Sequence, residues 1–409
     1  MMRTPTPPPG RPRDPGRTHG TVPQLLQTLQ VGFDFPVHFT RDVFAPSNTR
    51  LADAISRKEP SRRHRVLVVL DRGVAEAVGD LQPRMHRYFS EHRDRLLMLA
   101  APMVMDGGET IKNDAGALQS LLRKLCELSM DRHSVVLVVG GGALLDTAGY
   151  AAAITHRGLR VVRVPTTVLS QSVSGVSIKN GINAFGRKDF HGVFWPPFAV
   201  LNDILLLETL PRRERLGGLA EAVKAALLKD GAFFGWIRER ATALAQGDEQ
   251  ALSLLIQRTA QLHLHHVAIG NDAFEQYSAQ PLALGQWAAH KLVSLSKGGL
   301  RHGEALAIGM ALDTTYAQRV GLCEPDVTDA VLHTLSQLGF RLWDESLEVR
   351  RPDGKPRVLE GLGEFREETG GELTLTLLRR IGEGTCVHDV DEALMLDALQ
   401  KLREREAGA

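Results

Sequence analysis

The chain has 409 residues, 43% hydrophobic and 24% charged, with 49 basic against 48 acidic side chains and a formal net charge of +1. That length can bury two cores, and the even charge balance lacks the basic surplus that a nucleic-acid or anionic-membrane partner requires. No apolar run approaches the ~18–20 residues that span a bilayer. Cys126, Cys323 and Cys386 are too scattered for a disulfide framework or a CxxC metal knuckle, which points to a reducing, cytoplasmic setting.

Residues 1–30, rich in proline and arginine and without an apolar signal core, read as a disordered leader. An extended segment is expected at Phe33–Thr40, followed by short apolar runs at Arg65–Leu70, Leu96–Ala101, Ser134–Val139 and Leu159–Val164. Uninterrupted valine-rich runs of this kind mark strands buried on both faces of a parallel sheet. Helical spacing between them, as at Ala115–Met130, completes a strand–helix alternation and an α/β fold. From about Leu205 the texture turns helical, at Leu216–Lys229, Phe233–Ala245, Leu252–Ile269, Leu282–Leu295 and Glu304–Val320, with a late strand at Leu373–Leu378. The expected organisation is a parallel-sheet domain at 31–204 and a mainly α-helical domain at 205–409.

Gly140-Gly141-Gly142 follows the strand SVVLVV directly and precedes the helix-like ALLDTAGYAAA. Glycines at a strand-to-helix turn let the backbone approach a pyrophosphate, and the helix N-terminus favours its charge. A tight turn that merely needs positive φ would look the same. Asp71 closes the first apolar run and Pro165-Thr166-Thr167 closes another. A carboxylate that can accept from a ribose diol, and hydroxyls beside it, then stand at the strand ends where open parallel sheets bind ligands. This is a Rossmann-like arrangement without the GxGxxG fingerprint, which disfavours a short-chain-type dehydrogenase. His263, His265 and His266 crowd one helix, but only the first and third share a face, so they read as structural; the four tryptophans read as core or interface.

Taken in order, these pieces resemble the dehydroquinate synthase family of the sugar-phosphate cyclase superfamily, most closely its bacterial dehydroquinate-synthase-like branch. The resemblance is carried by Gly107, Gly108, Glu109 and Lys112, by GGGALLDTAGYAA, by Arg157-Gly158 and by PTT. It continues through Gln171, Lys179 and Asn183, then GLAEAVKAALLKD and RHGEALAIGM, and covers roughly residues 35 to 390. It implies an NAD-dependent lyase that eliminates phosphate from a seven-carbon sugar phosphate and closes a carbocycle by intramolecular aldol addition. NAD acts catalytically there, a zinc- or cobalt-type divalent metal polarises an oxygen, and the enzyme is a homodimer with no nucleic-acid or membrane partner.

Residue by residue, the resemblance implies NAD contacts from Asp71, Glu109, Lys112, Gly140, Gly141, Gly142, Asp146, Thr166, Thr167 and Lys188. It implies metal ligation by Glu221 and His302, with Gln286 at the third position, and proton transfer at His290. Lys179 and Lys224 would hold substrate oxygens, and Arg157 would meet phosphate from a neighbouring subunit. Departures gather at the reaction centre: Gln286 stands for a histidine, Val173 for an aspartate, Gln280 for an arginine, Asp189 for an asparagine and His265 for a lysine. Three readings follow. The first, a cyclase with altered substrate and relaxed metal use, is favoured because Glu221, Lys224, His290 and His302 persist. The others are a weak or inactive NAD-binding homologue, and an NAD- and metal-dependent enzyme of the polyol dehydrogenase kind.

Overall fold

The computed structural model describes residues 25–27, 31–269 and 282–407. The expected leader at 1–30 lies almost wholly outside the described residues, as does Gln280. Residues 35–409 form one compact unit. Its strands begin with β1 (Val37–Thr40), β2 (His64–Asp71), β3 (Leu96–Met98), β4 (Met103–Met105), β5 (Val135–Gly140) and β6 (Arg160–Pro165). Next come β7 (Lys179–Ala184) and β8 (Arg187–Phe194), an antiparallel hairpin of their own, and then β9 (Ala199–Asp203). The main sheet has seven strands in the order β1-β9-β6-β5-β2-β3, with β4 also on β2, and its pairings are parallel.

Burial explains the valine-rich runs. Every residue of β5 is buried. In β2, Val66, Val68 and Leu70 pack against Phe44, Ile55 and Tyr88 on one face, while Leu67 and Val69 pack against Leu121, Leu144 and Leu145 on the other. The single strand expected at Leu96–Ala101 is two short ones, β3 and β4. Pro102 stands between them and has no N–H to give a ladder. Arg163 of β6 is a fully buried cation within this sheet. Its Nη1 donates to the carbonyls of Gly175 (3.0 Å) and Ser177 (2.6 Å), and its Nη2 to Asn180 Oδ1 (2.6 Å). Burial pulls Arg163 down to about 10. The guanidinium ties the loop after β6 to the start of β7.

From Arg212 onward the unit is mostly helical. The helix Arg212–Lys229 is buried continuously from Leu216 to Leu228, as a helix at the centre of a core must be. The helices Glu249–Ile269, Gln286–Leu295 and His302–Arg319 follow it. Where one helix is expected at Phe233–Ala245 there are two, Gly231–Glu239 and Ala241–Gln246. The helix expected from Leu282 begins only at Gln286, because Gly285 turns left-handed at φ +76°. The late strand is β10 (Leu375–Arg380), paired antiparallel with β11 (Glu383–Val387). Among the described residues no helix is long and apolar enough to cross a membrane.

Candidate active site

The parallel register brings three strand ends together. Leu70 lies opposite Val139, and Gly140 opposite Pro165, so Asp71, Gly141 and Thr166 share the carboxyl edge of the sheet. Asp71 accepts from Gly73 N at 2.8 Å and starts a short helix. Burial raises its carboxyl, opposed by the N–H groups of Gly73, Val74 and Gly141. The helix Gly142–Ile154 starts at Gly141 with no side-chain cap, which leaves its first N–H groups open to an anion. Beside that turn, Thr166 Oγ1 and Ser174 Oγ are buried and have no hydrogen-bond partner, as is Ser172 Oγ two residues before Ser174. Thr167 shapes the turn instead, through its hydroxyl to Ser170 Oγ at 2.8 Å.

A second group of residues clasps the hairpin to this edge. Lys112, with 3% of its side chain exposed, reaches Asp146 at 2.8 Å and also pairs with Asp189 of β8. Burial works against its charge, but the carboxylates of Asp146, Asp189 and Glu109 outweigh it and push the ammonium's pKa upward. Asn183 of β7 donates to Glu109 Oε1 at 3.0 Å and accepts from Asp189 N at 2.8 Å. The acid that replaces an expected asparagine at 189 therefore has a cation waiting for it. Lys188, next to Asp189, lies near enough to His302 to disfavour its protonation.

The third group is the most buried. Glu221 and Lys224 lie one turn apart in the central helix, 5% and 4% exposed, with Nζ 2.7 Å from Oε2. The other carboxylate oxygen, Oε1, is 3.1 Å from His302 Nε2. A glycine must follow His302, since a Cβ at 303 would collide with the backbone of Gly217 on the Glu221 helix. Burial favours a neutral Glu221, yet Lys224 and His302 overcome it and hold the carboxyl well below the usual range. Burial lowers His302, with Lys188 and His290 adding to the effect against Glu221. Glu221 therefore reads as a carboxylate beside a neutral His302 imidazole, with Lys224 Nζ against the other carboxylate oxygen. The His290 ring stands 6.4 Å from that of His302. Gln286 begins the same helix one turn before His290 and on the same face. Among the described residues no three His, Cys, Asp or Glu side chains gather as a metal cage.

Not every expected residue converges. Arg157 precedes β6, so it lies at the amino edge of the sheet, opposite the carboxyl edge, in an exposed turn where His156 and Arg157 take φ +50° and +62°. Val173 sits in the turn Ser170–Ser174, and Lys179 opens β7. Gln171 is buried by bonds from Nε2 to the carbonyls of Pro165 (3.0 Å) and Asp203 (2.8 Å), a scaffold role. The three crowded histidines lie in the helix Glu249–Ile269. Sequence reasoning passed over Ser172 and Ser174; their one signal is a run of small polar residues, SQSVSGVS, after the PTT strand end.

Residues 102–216 match the family model described as 3-dehydroquinate synthase N-terminal, and residues 218–353 the one described as 3-dehydroquinate synthase C-terminal. The chain is 34% identical to a 3-dehydroquinate synthase of Roseobacter denitrificans, over 83% of this chain and 89% of that protein. It is 32% identical to one of Rhodospirillum rubrum, over 90% and 91%. Among solved structures it is similar to ValA, 2-epi-5-epi-valiolone synthase from Streptomyces hygroscopicus subsp. jinggangensis, described with NAD+ and Zn2+ bound. That likeness has 26% identity and a TM-score of 0.82, covering 93% of this chain and 100% of that one. The chain belongs to the 3-dehydroquinate synthase family.

Proposed function

We propose that this protein is an NAD-dependent sugar-phosphate cyclase, a carbon–oxygen lyase that eliminates phosphate from a seven-carbon sugar phosphate and closes the carbon ring. The observation that carries the reading is Glu221, a buried carboxylate touching both Lys224 and His302, residues drawn from two separate motifs. A cofactor fits each half of the site. At the sheet edge, the uncapped helix start at Gly141 and the unpartnered hydroxyls of Thr166 and Ser174 suit a pyrophosphate. In the helical half, Glu221 and His302 supply an anionic oxygen and an imidazole nitrogen to a divalent metal, and Gln286 supplies an amide oxygen. Glutamine is a weaker donor than histidine, so this ligand set favours loose metal binding. When bound, NAD would exchange a hydride reversibly with a secondary hydroxyl, and the metal would polarise that oxygen.

The chain's own residues do the rest. Lys224 balances Glu221 and faces substrate oxygens from within the buried trio. Lys179 and Lys188 present cations from the hairpin, the first to substrate and the second to the cofactor side. His290, near His302, is placed to move a proton to or from the substrate. Asp71, Glu109, Lys112 and Asp146, with Gly140, Gly142 and Thr167, line the nucleotide side. Arg157 stands at the far edge of its own sheet, so in this reading it serves the site from a second copy, in a homodimer. The division at 204/205 separates the nucleotide part from the metal and substrate part, and the setting is cytoplasmic.

The test is to purify the protein, assay bound NAD and metal, and follow phosphate release from a panel of seven-carbon sugar phosphates. Release from one of them, abolished by a chelator and restored by zinc or cobalt, is the expected result. NAD bound with no metal and no release from any substrate would instead mark a catalytically silent relative.

A further inference from the structure

The helix that carries Gln286 and His290 is held in place by an acid that no motif of the site includes. Asp313 lies three turns along the His302–Arg319 helix and is 1% exposed. Its Oδ2 accepts from Gly285 N at 2.7 Å, and its Oδ1 accepts from Trp287 Nε1 at 2.8 Å. These donors flank Gln286 in sequence, so one carboxylate grips the turn on both sides of it. The grip comes where the two helices meet backbone to backbone: a Cβ at Gly285 would strike Met310, and one at Gly309 would strike the carbonyl of Gly285. Gly285 is left-handed, φ +76°, and the first residue of the helix follows it. A carboxylate at a helix N-terminus is also favourably placed toward the helix dipole.

We propose that Asp313 is a positioning residue for the reaction centre: by fixing the Gly285 turn against the helix that begins with His302, it sets where Gln286 and His290 stand relative to His302. The logic is geometric. His302 and Asp313 belong to one rigid helix, about 16 Å apart along its axis. The helix beginning at Gln286 packs back along it, and His290 comes to 6.4 Å, ring to ring, from His302. Loosening the turn at Gly285 therefore shifts the 286/290 face against an unmoved His302. The inference rests on reading this helix as one wall of the active site, but its test does not depend on turnover.

The experiment uses Asp313→Asn, which keeps shape and one acceptor oxygen but cannot accept from both donors, with Leu335→Ala as a destabilised control away from the site. Imidazole resonances of the 15N-histidine-labelled full chain are compared with wild type. The expected result is a displaced His290 signal in Asp313→Asn, an unmoved signal from exposed His388, and neither displaced in the control. Each change is then combined with Gln286→His, and Co2+ affinity is read from its visible absorption. Asp313→Asn should weaken the affinity gained by Gln286→His at least tenfold, while Leu335→Ala leaves it within twofold. A His290 signal that stays put while the Trp287 indole N–H moves would overturn the proposal. If Gln286→His alone gains no Co2+ affinity, the metal reading of the site fails, and the His290 signal still decides the role of Asp313.

Discussion

Replacing Lys112 by methionine keeps most of the side-chain volume and removes the ammonium from between Asp146 and Asp189. Asp189 has 46% of its side chain exposed, so water screens its loss and it contributes little. Asp146 is only 20% exposed and paired at 2.8 Å. Without Lys112 it must stay charged in a poor solvent or take up a proton. Protonating a carboxyl of ordinary value near 3.8 costs about 4 kcal/mol at pH 7, at roughly 1.4 kcal/mol per pH unit, and that is a ceiling. Residual solvent access brings the expected loss to about 3 kcal/mol, in the range found when a buried pair is halved. Burial already holds the Asp146 carboxyl above its ordinary value despite Lys112, and removing the ammonium raises it further, so wild type bears part of that ceiling and the variant adds the rest. The penalty relative to wild type is therefore absent at low pH, where Asp146 is protonated in both folded proteins, and grows as pH rises past the wild-type folded value, so it is smaller at pH 5 than at pH 7. Urea unfolding followed by circular dichroism at pH 5 and pH 7 measures both values. Adding Asp146→Asn should recover most of the loss. A deficit below about 1 kcal/mol at pH 7, or one equal at the two pH values, refutes the reasoning.

Three further outcomes are expected. Gln286→His should raise Zn2+ affinity by on the order of a hundredfold, because imidazole replaces an amide oxygen; calorimetry of the metal-stripped protein reads this without any substrate. Asp71→Asn should weaken NAD binding at least tenfold at nearly unchanged melting temperature, measured by equilibrium dialysis, since an amide still caps Gly73 but is a poorer acceptor for a ribose diol. Burial pushes the Asp313 carboxyl up to about 7, so its contribution to stability is fully present below pH ~4 and is lost as pH rises through 7. Asp313→Asn should flatten the fall in stability between pH 4 and pH 7, by up to ~1.4 kcal/mol per pH unit; an unchanged slope in urea titrations would contradict that burial effect.

The parts legible in the sequence are those whose cause is local. Strands β2, β5 and β6 announce themselves because both faces are buried and most interior positions take an apolar side chain. The turn at Gly141 is legible because glycines and a helix start adjoin in the chain. β11, with the sequence EGTCV, carries no such pattern and exists because β10 offers it a ladder. The hairpin β7–β8 is similar: β8 is exposed at most positions, so its pairing with β7 leaves no apolar trace. Longer-range chemistry is least visible. Lys112 meets Asp189 across 77 positions of chain and Asp313 meets Gly285 across 28, and no spacing rule links either pair.

Those distant pairings decide how the departures from the family pattern should be weighed. A site released from use accumulates changes without regard to buried charge, and an unpaired buried charge costs several kcal/mol. Here the acid at 189 is met by Lys112, itself among the most buried cations of the chain. Glu221 keeps both Lys224 and His302, and His290 remains beside the latter. The substitution at 286 differs in kind. A neutral amide in place of an imidazole leaves no charge stranded, so it weakens one ligand while the surrounding electrostatics stand. That pattern, charges kept in balance and one donor softened, is what the proposed cyclase reading expects of the pocket. It fits poorly with a cleft kept only as scaffold, in which the Glu221–Lys224 pair would be a cost that well-packed apolar residues avoid.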